Sequence, residues 1–345
     1  MAEHMRAWHI TAPGPVEKTL ALVDDAARPS AKLLQHGQVL VRISRAALNP
    51  VDYKVPELGI ASKALVHFPK TPGIDFSGQV VDASQDAAAD DDDVKPGDFV
   101  LGRILIGKKE GSLSQYAVVS RDSYAVLPKT FTDLDQAAGL PTAAMTAYGS
   151  IAPHVNAGDR VFINGGSGGV GLFGIQVAKA LGCHVTVSAS TAKAPLCREV
   201  GADDIIDYKT VDVLDELKKK GQVHSLIVDN VGNSPPNLYA SSHNFLLPKG
   251  KYVFVGGAIS TSSVTSLAKS LLLPGFLGGG KRKFVTFNAH PNRHALEQVV
   301  QWLVAGKLRT VVDSVYNFEE ADKAFEHLKK GASAGKVIVR VDEEN

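Results

Sequence analysis

Short apolar runs alternate with helix-like patterns through the middle of the chain. Each run is bounded by polar or turn-forming residues, which is typical of strands buried in a sheet. Six such strands are predicted, at residues 161–163, 185–188, 204–208, 226–229, 252–255 and 284–287. Because helices are predicted between most of them, we expect an α/β fold with a parallel, doubly wound sheet.

The residues before this region have a different pattern. Alternating apolar and polar positions at 39–44 and 78–82 predict strands, and Pro-Gly signals at 13–14, 72–73 and 96–97 separate short segments. This pattern indicates a compact, barrel-like β domain.

The apolar run at residues 335–341 lies too far along the chain to belong to the six-stranded set. We therefore assign it to the β domain, which becomes discontinuous in sequence. The predicted domains are residues 1–128 together with 308–345, and residues 129–307.

A glycine-rich turn follows the first of the six strands. Gly166, Gly168 and Gly171 fit the spacing G-x-G-x-x-G, and an apolar helical pattern begins at Val170. In a strand–turn–helix unit, such glycines permit a tight turn, a close approach of the backbone to a pyrophosphate, and close packing of the helix on the strand. The helix N-terminus also offers free N–H groups to phosphates. The turn predicts a dinucleotide site made by Gly166, Ser167, Gly168, Gly169, Val170 and Gly171.

The residues after the second strand indicate which dinucleotide binds. A carboxylate that holds the ribose 2′-hydroxyl of NAD is expected about 20 residues beyond the glycines. No carboxylate stands at 187–193, where Ser190, Thr191 and Lys193 can donate to a 2′-phosphate. We therefore predict NADPH, with Tyr208 near the same phosphate or the adenine.

Small residues end the fourth and fifth strands. They leave room for nicotinamide and its ribose at the carboxyl edge of the sheet. The predicted contacts there are Asn230, Val231, Val255, Gly256 and Gly257.

Composition narrows the function classes. Lys plus Arg number 37 against 36 for Asp plus Glu, so no nucleic-acid partner is expected. No apolar run reaches the ~18 residues of a membrane span, and the start of the chain lacks the apolar core of a signal peptide. With only two cysteines, Cys183 and Cys197, we expect no disulfide framework and a reducing compartment, the cytoplasm.

Further motifs stand along nearly the whole chain, at residues 47–54, 72–78, 95–100, 111–116, 140–148, 201–203, 229–232 and 335–337. Together with the glycine turn, they resemble the zinc-independent quinone oxidoreductase and enone reductase branch of the medium-chain dehydrogenase/reductase superfamily. The resemblance implies a Rossmann domain inserted into a GroES-like β-barrel domain. It also implies NADPH-dependent reduction of quinones or of the C=C bond of α,β-unsaturated carbonyls, with Thr146 close to the nicotinamide and Lys336 near the cofactor.

The comparison with this superfamily predicts that no metal takes part. Its zinc alcohol dehydrogenases carry a cysteine ligand where this chain has residues 49–52, and Gly-His-Glu where it has residues 73–75. The four-cysteine structural lobe is missing as well. A catalytic zinc needs about three Cys, His or carboxylate ligands, which this pattern does not supply.

Hydride transfer to a quinone or enone produces an oxyanion that protein donors must stabilise. The candidate catalytic residues are Asn49, Tyr53 and Lys54. Asn49 would orient the carbonyl or the nicotinamide ribose, Tyr53 would donate a proton or a hydrogen bond, and Lys54 would stabilise negative charge. Many family members carry the tyrosine one place later, so bulk water is an alternative proton source.

Two other functions stay open, a stand-alone enoyl reductase of a biosynthetic pathway and a non-catalytic NADPH-binding protein associated with membrane trafficking. Residues 264–283 pair an apolar block with a basic one, which suits a substrate lid, a dimer contact or a peripheral membrane contact. The expected partner is a small quinone or enone, and the chain is expected to be a monomer or a homodimer.

Overall fold

The computed structural model describes residues 3–84, 94–232, 234–256, 261–273, 279–287 and 292–342. The strands, in chain order, are β1 (His4–Ile10), β2 (Leu20–Ala27), β3 (Gln38–Leu48), β4 (Asp75–Ala83), β5 (Phe99–Arg103), β6 (Tyr116–Ser120), β7 (Tyr124–Val126), β8 (Arg160–Asn164), β9 (His184–Ala189), β10 (Asp204–Asp207), β11 (His224–Asp229), β12 (Leu246–Phe254), β13 (Lys283–Thr286), β14 (Val312–Asn317) and β15 (Lys336–Arg340).

Helices connect many of these strands. They are α1 (Val16–Thr19), α2 (Pro50–Lys54), α3 (Leu134–Gly139), α4 (Pro141–Ile151), α5 (Gly169–Ala180), α6 (Ala194–Glu199), α7 (Val213–Lys220), α8 (Leu238–Ser241), α9 (Thr261–Leu272), α10 (Arg293–Val304) and α11 (Ala321–Lys329). Short 3-10 segments supplement them, and Pro56–Ala64 is one of these. Among the described residues, no helix is long and apolar enough to cross a membrane.

The chain divides into two compact units, Met1–Thr142 with Pro291–Asn345, and Ala143–His290. The first unit contains a sheet in the order β14-β15-β3-β4-β5-β7, with β6 also paired to β3. Strand β3 organises it, because Gln38–Arg42 pairs with β6 and Arg45–Leu48 pairs with β15. Its register against β4 shifts at two places, and such bulges bend a strand enough to serve two neighbours.

The buried face of this sheet forms the core of the first unit. Trp8, Ile43, Phe76, Tyr124 and Phe325 lie in it and are almost inaccessible to water. Phe325 comes from α11, so the last fifth of the chain completes a core that the first third begins. The terminal strand, β15, pairs with β3 and so lies in the sheet of the first unit.

The second unit is the predicted doubly wound sheet. All six predicted strands are present, as β8 to β13, and every pairing is parallel, in the order β10-β9-β8-β11-β12-β13. Phe162, Leu217, Ile227, Phe245 and Tyr252 belong to its core. The reversal of strand order beside β8 places the crevice of such a sheet at the carboxyl ends of its central strands.

The observed division of the chain differs from the expected boundaries at 128/129 and 307/308. Helix α3 packs on β3, β4 and β15, and α10 packs on β7, so both helices belong to the first unit. The hydroxyl of Ser77 donates to the Leu134 carbonyl at 2.7 Å, which fixes α3 to β4. The helical pattern of these segments was visible in the sequence, but the sheet on which they pack was not.

Candidate functional site

The glycine turn between β8 and α5 is held by its neighbour β9. The N–H of Gly165 donates to the Ser188 hydroxyl at 2.8 Å, and the N–H of Gly166 donates to the Ser188 carbonyl at 2.9 Å. Gly165 has φ of +80°, and a Cβ there would lie 2.6 Å from Val231 Cγ2. The left-handed residue of the turn is therefore Gly165, which precedes the three glycines of the predicted motif.

Two of the three motif glycines have no space for a side chain. A Cβ on Gly171 would lie 2.1 Å from the Gly165 carbonyl oxygen, and one on Gly166 would lie 2.6 Å from Val187 Cβ. A Cβ on Gly168 would meet its nearest neighbour only at 3.7 Å, an ordinary contact. Gly166 and Gly171 therefore permit the close packing of turn, strand and helix, whereas Gly168 is open on its outer side.

The N-terminus of α5 is suited to an anion. Its N-cap residue is Gly168, and no side chain caps the first turn. The first N–H groups of a helix lack partners within the helix and carry the positive end of its dipole. Ser167 precedes the N-cap, and Gly169 and Val170 begin the helix. Such a helix start is suited to a pyrophosphate.

Below the turn, a buried polar network ties β8, β9, β11 and β12 together. Asn164 Nδ2 donates to Asp229 Oδ1 at 2.9 Å, and the Ser188 hydroxyl donates to Asn164 Oδ1 at 2.7 Å. The Tyr252 hydroxyl donates to Asp229 Oδ2 at 2.6 Å. Burial, together with the Asp229 charge, raises the pKa of Tyr252 well above its usual value. These side chains were missed in the sequence, although each stands at or near a strand end and polar side chains there are the available signal.

The predicted nicotinamide side of the site begins at the end of β11. Asp229 Oδ1 also accepts from the N–H groups of Val231 and Gly232, at 3.0 and 3.1 Å, which fixes the loop beside the turn. Both side-chain amide atoms of Asn230 are buried without a partner among the described residues. An orphaned buried amide next to a glycine turn is an observation that fits a bound dinucleotide.

Val255 and Gly256 follow β12 and are half-buried, and Val255 N–H donates to the Asp229 carbonyl at 3.0 Å. Thr146 is buried within α4. Gly257 and part of the 264–283 segment lie outside the described residues.

The residues predicted to select NADPH gather at the ends of β9 and β10. Tyr208 N–H donates to the Ala189 carbonyl at 3.2 Å, so Tyr208 lies beside the start of the Ser190–Lys193 turn. Tyr208 is 50% exposed and lies under Lys209, whose Nζ is 5.6 Å from the ring centroid.

A carboxylate that was not anticipated joins this group. The Thr191 hydroxyl donates to Asp207 at the end of β10. This hydrogen bond, with that from the Lys209 N–H, lowers the pKa of Asp207. Thr191 is therefore engaged with an ionised carboxylate. Asp207 was missed because the expected acid belongs to the second strand of the sheet, whereas this one ends the third.

The first unit contains a separate buried cluster around Asp75. Lys336 Nζ donates to Asn49 Oδ1 at 2.6 Å and lies 3.4 Å from Asp75 Oδ2. Asn49 Nδ2 donates to the same Asp75 oxygen at 2.9 Å. Lys336 and Asp75 are only 4% and 0% exposed, so this ion pair is shielded from water.

The backbone around the cluster makes room for the lysine. A Cβ on Gly139, the last residue of α3, would lie 3.3 Å from Lys336 Cβ and Cγ. The Thr142 hydroxyl and N–H both donate to Asp75 Oδ1, at 2.5 and 3.1 Å. Asp75 thus accepts on both of its oxygens. Its position is fixed by Asn49 at the start of α2, Thr142 in α4 and Lys336 in β15.

Asp52 lies at the start of α2, next to this cluster. Its Oδ2 accepts from the Asn49 N–H at 2.8 Å, which closes the first turn of the helix. Burial raises the pKa of Asp52 to about 7, and the charge of Asp75 adds to that rise. The charges of Lys336 and Lys70 act in the opposite direction. Lys70 is itself buried, and its Nζ donates to the Lys108 carbonyl at 2.6 Å.

Of the three predicted catalytic residues, the structure brings only Asn49 into this cluster. Both donors and the acceptor of its side-chain amide are used inside the first unit, on Asp75, Ala47 and Lys336. Tyr53 is half-buried against the core, with Lys329 Nζ 5.5 Å from its ring centroid. Lys54 is exposed.

Two family models match the chain. One is the alcohol dehydrogenase GroES-like domain, over residues 35–129, and the other is described as a zinc-binding dehydrogenase, over residues 200–339. Among curated proteins, the chain is 41% identical to a trans-enoyl reductase, pgmF, of Aspergillus terreus (strain NIH 2624 / FGSC A1156), over 98% of this chain and 97% of that protein.

A second relative is the mitochondrial NAD(P)H oxidoreductase RTN4IP1 of Danio rerio, which is 32% identical over 99% of this chain and 92% of its own length. Among solved structures, the quinone oxidoreductase from Coxiella burnetii superposes with a TM-score of 0.82 at 28% identity. It covers 99% of this chain and 100% of its own.

The zinc named in one family description does not fit the residues present. Among the described residues, no group of three or more His, Cys, Asp or Glu side chains is arranged to hold a metal ion. Within the two stretches compared with zinc motifs, residues 49–52 and 73–75, Asp52 closes a helix turn and Asp75 accepts from Lys336, Asn49 and Thr142. The Lys336 ammonium group lies 3.4 Å from Asp75 Oδ2 and already neutralises this carboxylate, as a divalent cation would.

Proposed function

Because the chain belongs to the medium-chain dehydrogenase/reductase superfamily, in its quinone oxidoreductase and enone reductase branch, we propose that it reduces a carbon–carbon double bond conjugated to a carbonyl group, or a quinone, with hydride from NADPH. That the chain is an oxidoreductase with a nicotinamide cofactor follows from the family itself. The substrate class and the choice of NADPH are the proposal. The full-length similarity to a trans-enoyl reductase supports the enone.

The observation that carries the proposal is the lysine in the buried cluster. Lys336 replaces a metal as the local positive charge, and Asp75 with Asn49 fixes its ammonium group. An ammonium held in a shielded site favours an oxyanion more strongly than one in water. Alcohol oxidation by this superfamily uses zinc, whose ligands do not fit here, so reduction of an activated double bond suits these residues better.

A nicotinamide bound at the glycine turn supplies the hydride. Transfer to the electrophilic carbon of an enone moves negative charge to the substrate oxygen. Lys336 has three N–H groups, and within the described residues Asn49 and Asp75 accept two of them. We assign the third to the developing oxyanion, so that Asn49 acts through Lys336 and does not itself contact the substrate.

Protonation of the enolate carbon completes the reaction. Burial, with the charge of Glu57, raises the pKa of Tyr53 above its usual value. The proposed proton donor is Tyr53 or bulk water. Lys54, being exposed, is better suited to attract an anionic substrate than to stabilise buried charge.

The preference for NADPH rests on the turn after β9. Ser190 and Lys193 can both donate to a 2′-phosphate, and Lys209 adds a second cation near Tyr208. Asp207 opposes a phosphate, but its carboxylate accepts from Thr191 and from the Lys209 N–H. We therefore propose that Ser190, Lys193 and Tyr208 contact the phosphate or the adenine, while Thr191 acts by holding Asp207.

A substrate panel tests the function. Oxidation of NADPH and NADH is followed with simple quinones, enones and enoyl thioesters. Turnover of enones or quinones with NADPH supports the proposal, whereas turnover of thioesters alone indicates the stand-alone enoyl reductase. Tight NADPH binding with no turnover on any compound contradicts the proposal and favours a non-catalytic NADPH-binding protein.

We also propose a reducing compartment, the cytoplasm, as the site of action. Cys183 and Cys197 are both free and buried, and burial raises the pKa of each thiol to about 11. Such thiols resist oxidation and give no sign of a disulfide-forming environment. Microscopy of a fluorescent fusion checks this, and a mitochondrial signal would contradict it.

The expected lid, dimer or membrane contact stays a proposal for the part of 264–283 that the structure describes. Leu271 and Leu272 at the end of α9 are 47% and 83% exposed. Light scattering of the purified protein distinguishes monomer from dimer, and sedimentation with vesicles tests membrane contact. Replacement of both leucines by serine should abolish dimerisation if they form a dimer contact, or sedimentation with vesicles if they form a membrane contact.

A further inference from the structure

A basic cluster lies in the second unit, on β12 and β13. Parallel pairing makes Lys251 the direct neighbour of Lys283, so the two side chains leave the same face of the sheet from strands about 5 Å apart. The next pair, Tyr252 and Phe284, points to the opposite face, where the rings stack with centroids 5.7 Å apart. The strand register therefore holds the two lysines side by side.

His154, which follows α4, extends this cluster. Lys251 Nζ lies 3.2 Å from His154 Nδ1. Because an ammonium group can only donate, Nδ1 accepts and the ring proton is on Nε2. Burial, then the charge of Lys251, lower the pKa of His154, a hydrogen bond with the Pro153 backbone raises it, and the charge of Lys283 lowers it again. His154 is therefore a half-buried ring within the field of both lysines, where a bound anion would favour its protonation.

The two lysines differ from four others in the same unit. Four other lysines there pair with carboxylates: Lys179 with Asp203, Lys218 with Asp215, Lys219 with Glu216, and Lys220 with Asp204. Within the described ranges, neither Lys251 nor Lys283 has a carboxylate partner, and the one polar contact of Lys251 is His154. Adjacent like charges on paired strands repel, and an anion between them would remove that cost.

The cluster is separate from the predicted dinucleotide site. Lys251 precedes Phe254 by three residues, and Phe254 pairs with Asp229, which pairs with Asn164 at the glycine turn. Three residues of strand span about 10 Å. The cluster thus lies toward the amino-terminal ends of these strands, away from the carboxyl edge where the turn lies.

We infer that His154, Lys251 and Lys283 form a second anion site that binds a phosphate group, either free or on a small phosphomonoester. Nitrogen groups from three separate segments, β12, β13 and the turn after α4, supply the donors, which suits the several acceptor oxygens of a phosphate. Lys283 is exposed and His154 and Lys251 are half-buried, so a small anion can reach all three. The site is independent of the hydride-transfer chemistry.

Calorimetric titration with inorganic phosphate tests the site, in the presence of saturating NADPH and at constant ionic strength. The cofactor then occupies the phosphate-binding groups of the glycine turn and of the Ser190 turn. The Lys251→Met/Lys283→Met variant should bind phosphate at least about tenfold more weakly than the wild type. Lys219→Met is the matched control, because it removes the same charge from a lysine that already has a carboxylate partner.

Two further measurements strengthen the test. The pKa of His154, followed by NMR, should rise when phosphate binds. If the double variant fails to fold, the single variant Lys283→Met replaces it and should also bind phosphate more weakly than the wild type. Glycerol phosphate in place of inorganic phosphate distinguishes a phosphomonoester from the free ion. Absence of phosphate binding by the wild type, or equal affinity in the wild type and the double variant, overturns the inference.

Discussion

At the scale of single residues, the buried cluster of the first unit could be predicted only in part. Asn49 and Lys336 were expected in the site, because motifs point to both. Asp75 was considered only as a position where a zinc ligand is missing. It joins Asn49 across 26 residues and Lys336 across 261, and no local pattern relates positions so far apart.

Replacement of Lys336 tests the role of the cluster. Lys336→Met should lower kcat by about 100-fold, since removal of one oxyanion donor typically costs that much, while NADPH affinity changes little. The measurement is steady-state turnover on the best substrate of the panel, with cofactor affinity determined by fluorescence titration.

Two controls accompany this variant. Lys54→Met removes a neighbouring exposed lysine and should leave kcat within about twofold of the wild type. Because Lys336→Met leaves the Asp75 charge buried and unpaired, the Asp75→Asn/Lys336→Met double variant should recover stability without recovering activity. Wild-type kcat in Lys336→Met, or a large loss in Lys54→Met, would reverse the assignment of the oxyanion donor.

His224 is expected to make the second unit sensitive to acid. Burial lowers the pKa of this fully buried ring to about 4, from 6.5 in the unfolded chain. The unfolded chain therefore binds the proton more readily. The contribution of His224 to stability is fully present above pH 6.5 and is lost as the pH falls toward 4. A shift of this size corresponds to about 3 kcal/mol of unfolding free energy.

The difference between the wild type and His224→Gln isolates this effect. The wild type should lose stability relative to the variant as urea unfolding is repeated from pH 7 down to 4.5. Asp52 acts in the opposite sense, because its folded pKa is raised to about 7 and its contribution is lost as the pH rises from 4 to 7. It is present in both proteins and cancels. A difference that does not vary with pH would show that His224 is not held neutral.

At the scale of elements, the strand–turn–helix unit was predictable because its chemistry is local. The glycine spacing identified the turn, but the residue with φ of +80° is Gly165, and the backbone angle of one glycine among several cannot be read from sequence. The network of Asn164, Ser188, Asp229 and Tyr252 was also not predictable, since it depends on which strands become neighbours.

The two glycine positions in this turn should respond differently to alanine. Gly171→Ala forces a methyl group to within 2.1 Å of the Gly165 carbonyl oxygen, and no flexible side chain can yield there. We expect a loss of several degrees in Tm and weakened NADPH binding. Gly168→Ala, where the nearest atom is 3.7 Å away, should keep the wild-type Tm. Equal Tm values for the two variants would contradict the packing role of Gly171.

The turn between β9 and α6 should determine the choice of cofactor. Ser190→Ala/Lys193→Ala should weaken NADPH binding by about tenfold or more and leave NADH binding nearly unchanged. Asp207→Asn should shift the ratio the other way, because it removes the carboxylate that opposes a phosphate. Fluorescence titration with both cofactors measures this. An unchanged ratio of the two affinities in these variants would contradict the NADPH assignment.

At the scale of the whole molecule, the sequence was informative about topology and less so about boundaries. Alternating strands and helices predicted the inserted parallel sheet, and the return of the final strand to the first unit followed from counting strands. The expected boundaries and the two compact units differ at α3 and α10, because a helical pattern shows which face is buried but not the sheet that covers it.

Isotope transfer tests the central proposal most directly. The protein is given an enone that it turns over, together with NADPH that carries deuterium at the transferring position of nicotinamide C4, and the product is examined by NMR. We predict a saturated carbonyl compound with one deuterium on the carbon β to the carbonyl. Deuterium on the carbinol carbon of an allylic alcohol, with the double bond intact, would show carbonyl reduction and contradict the proposed chemistry.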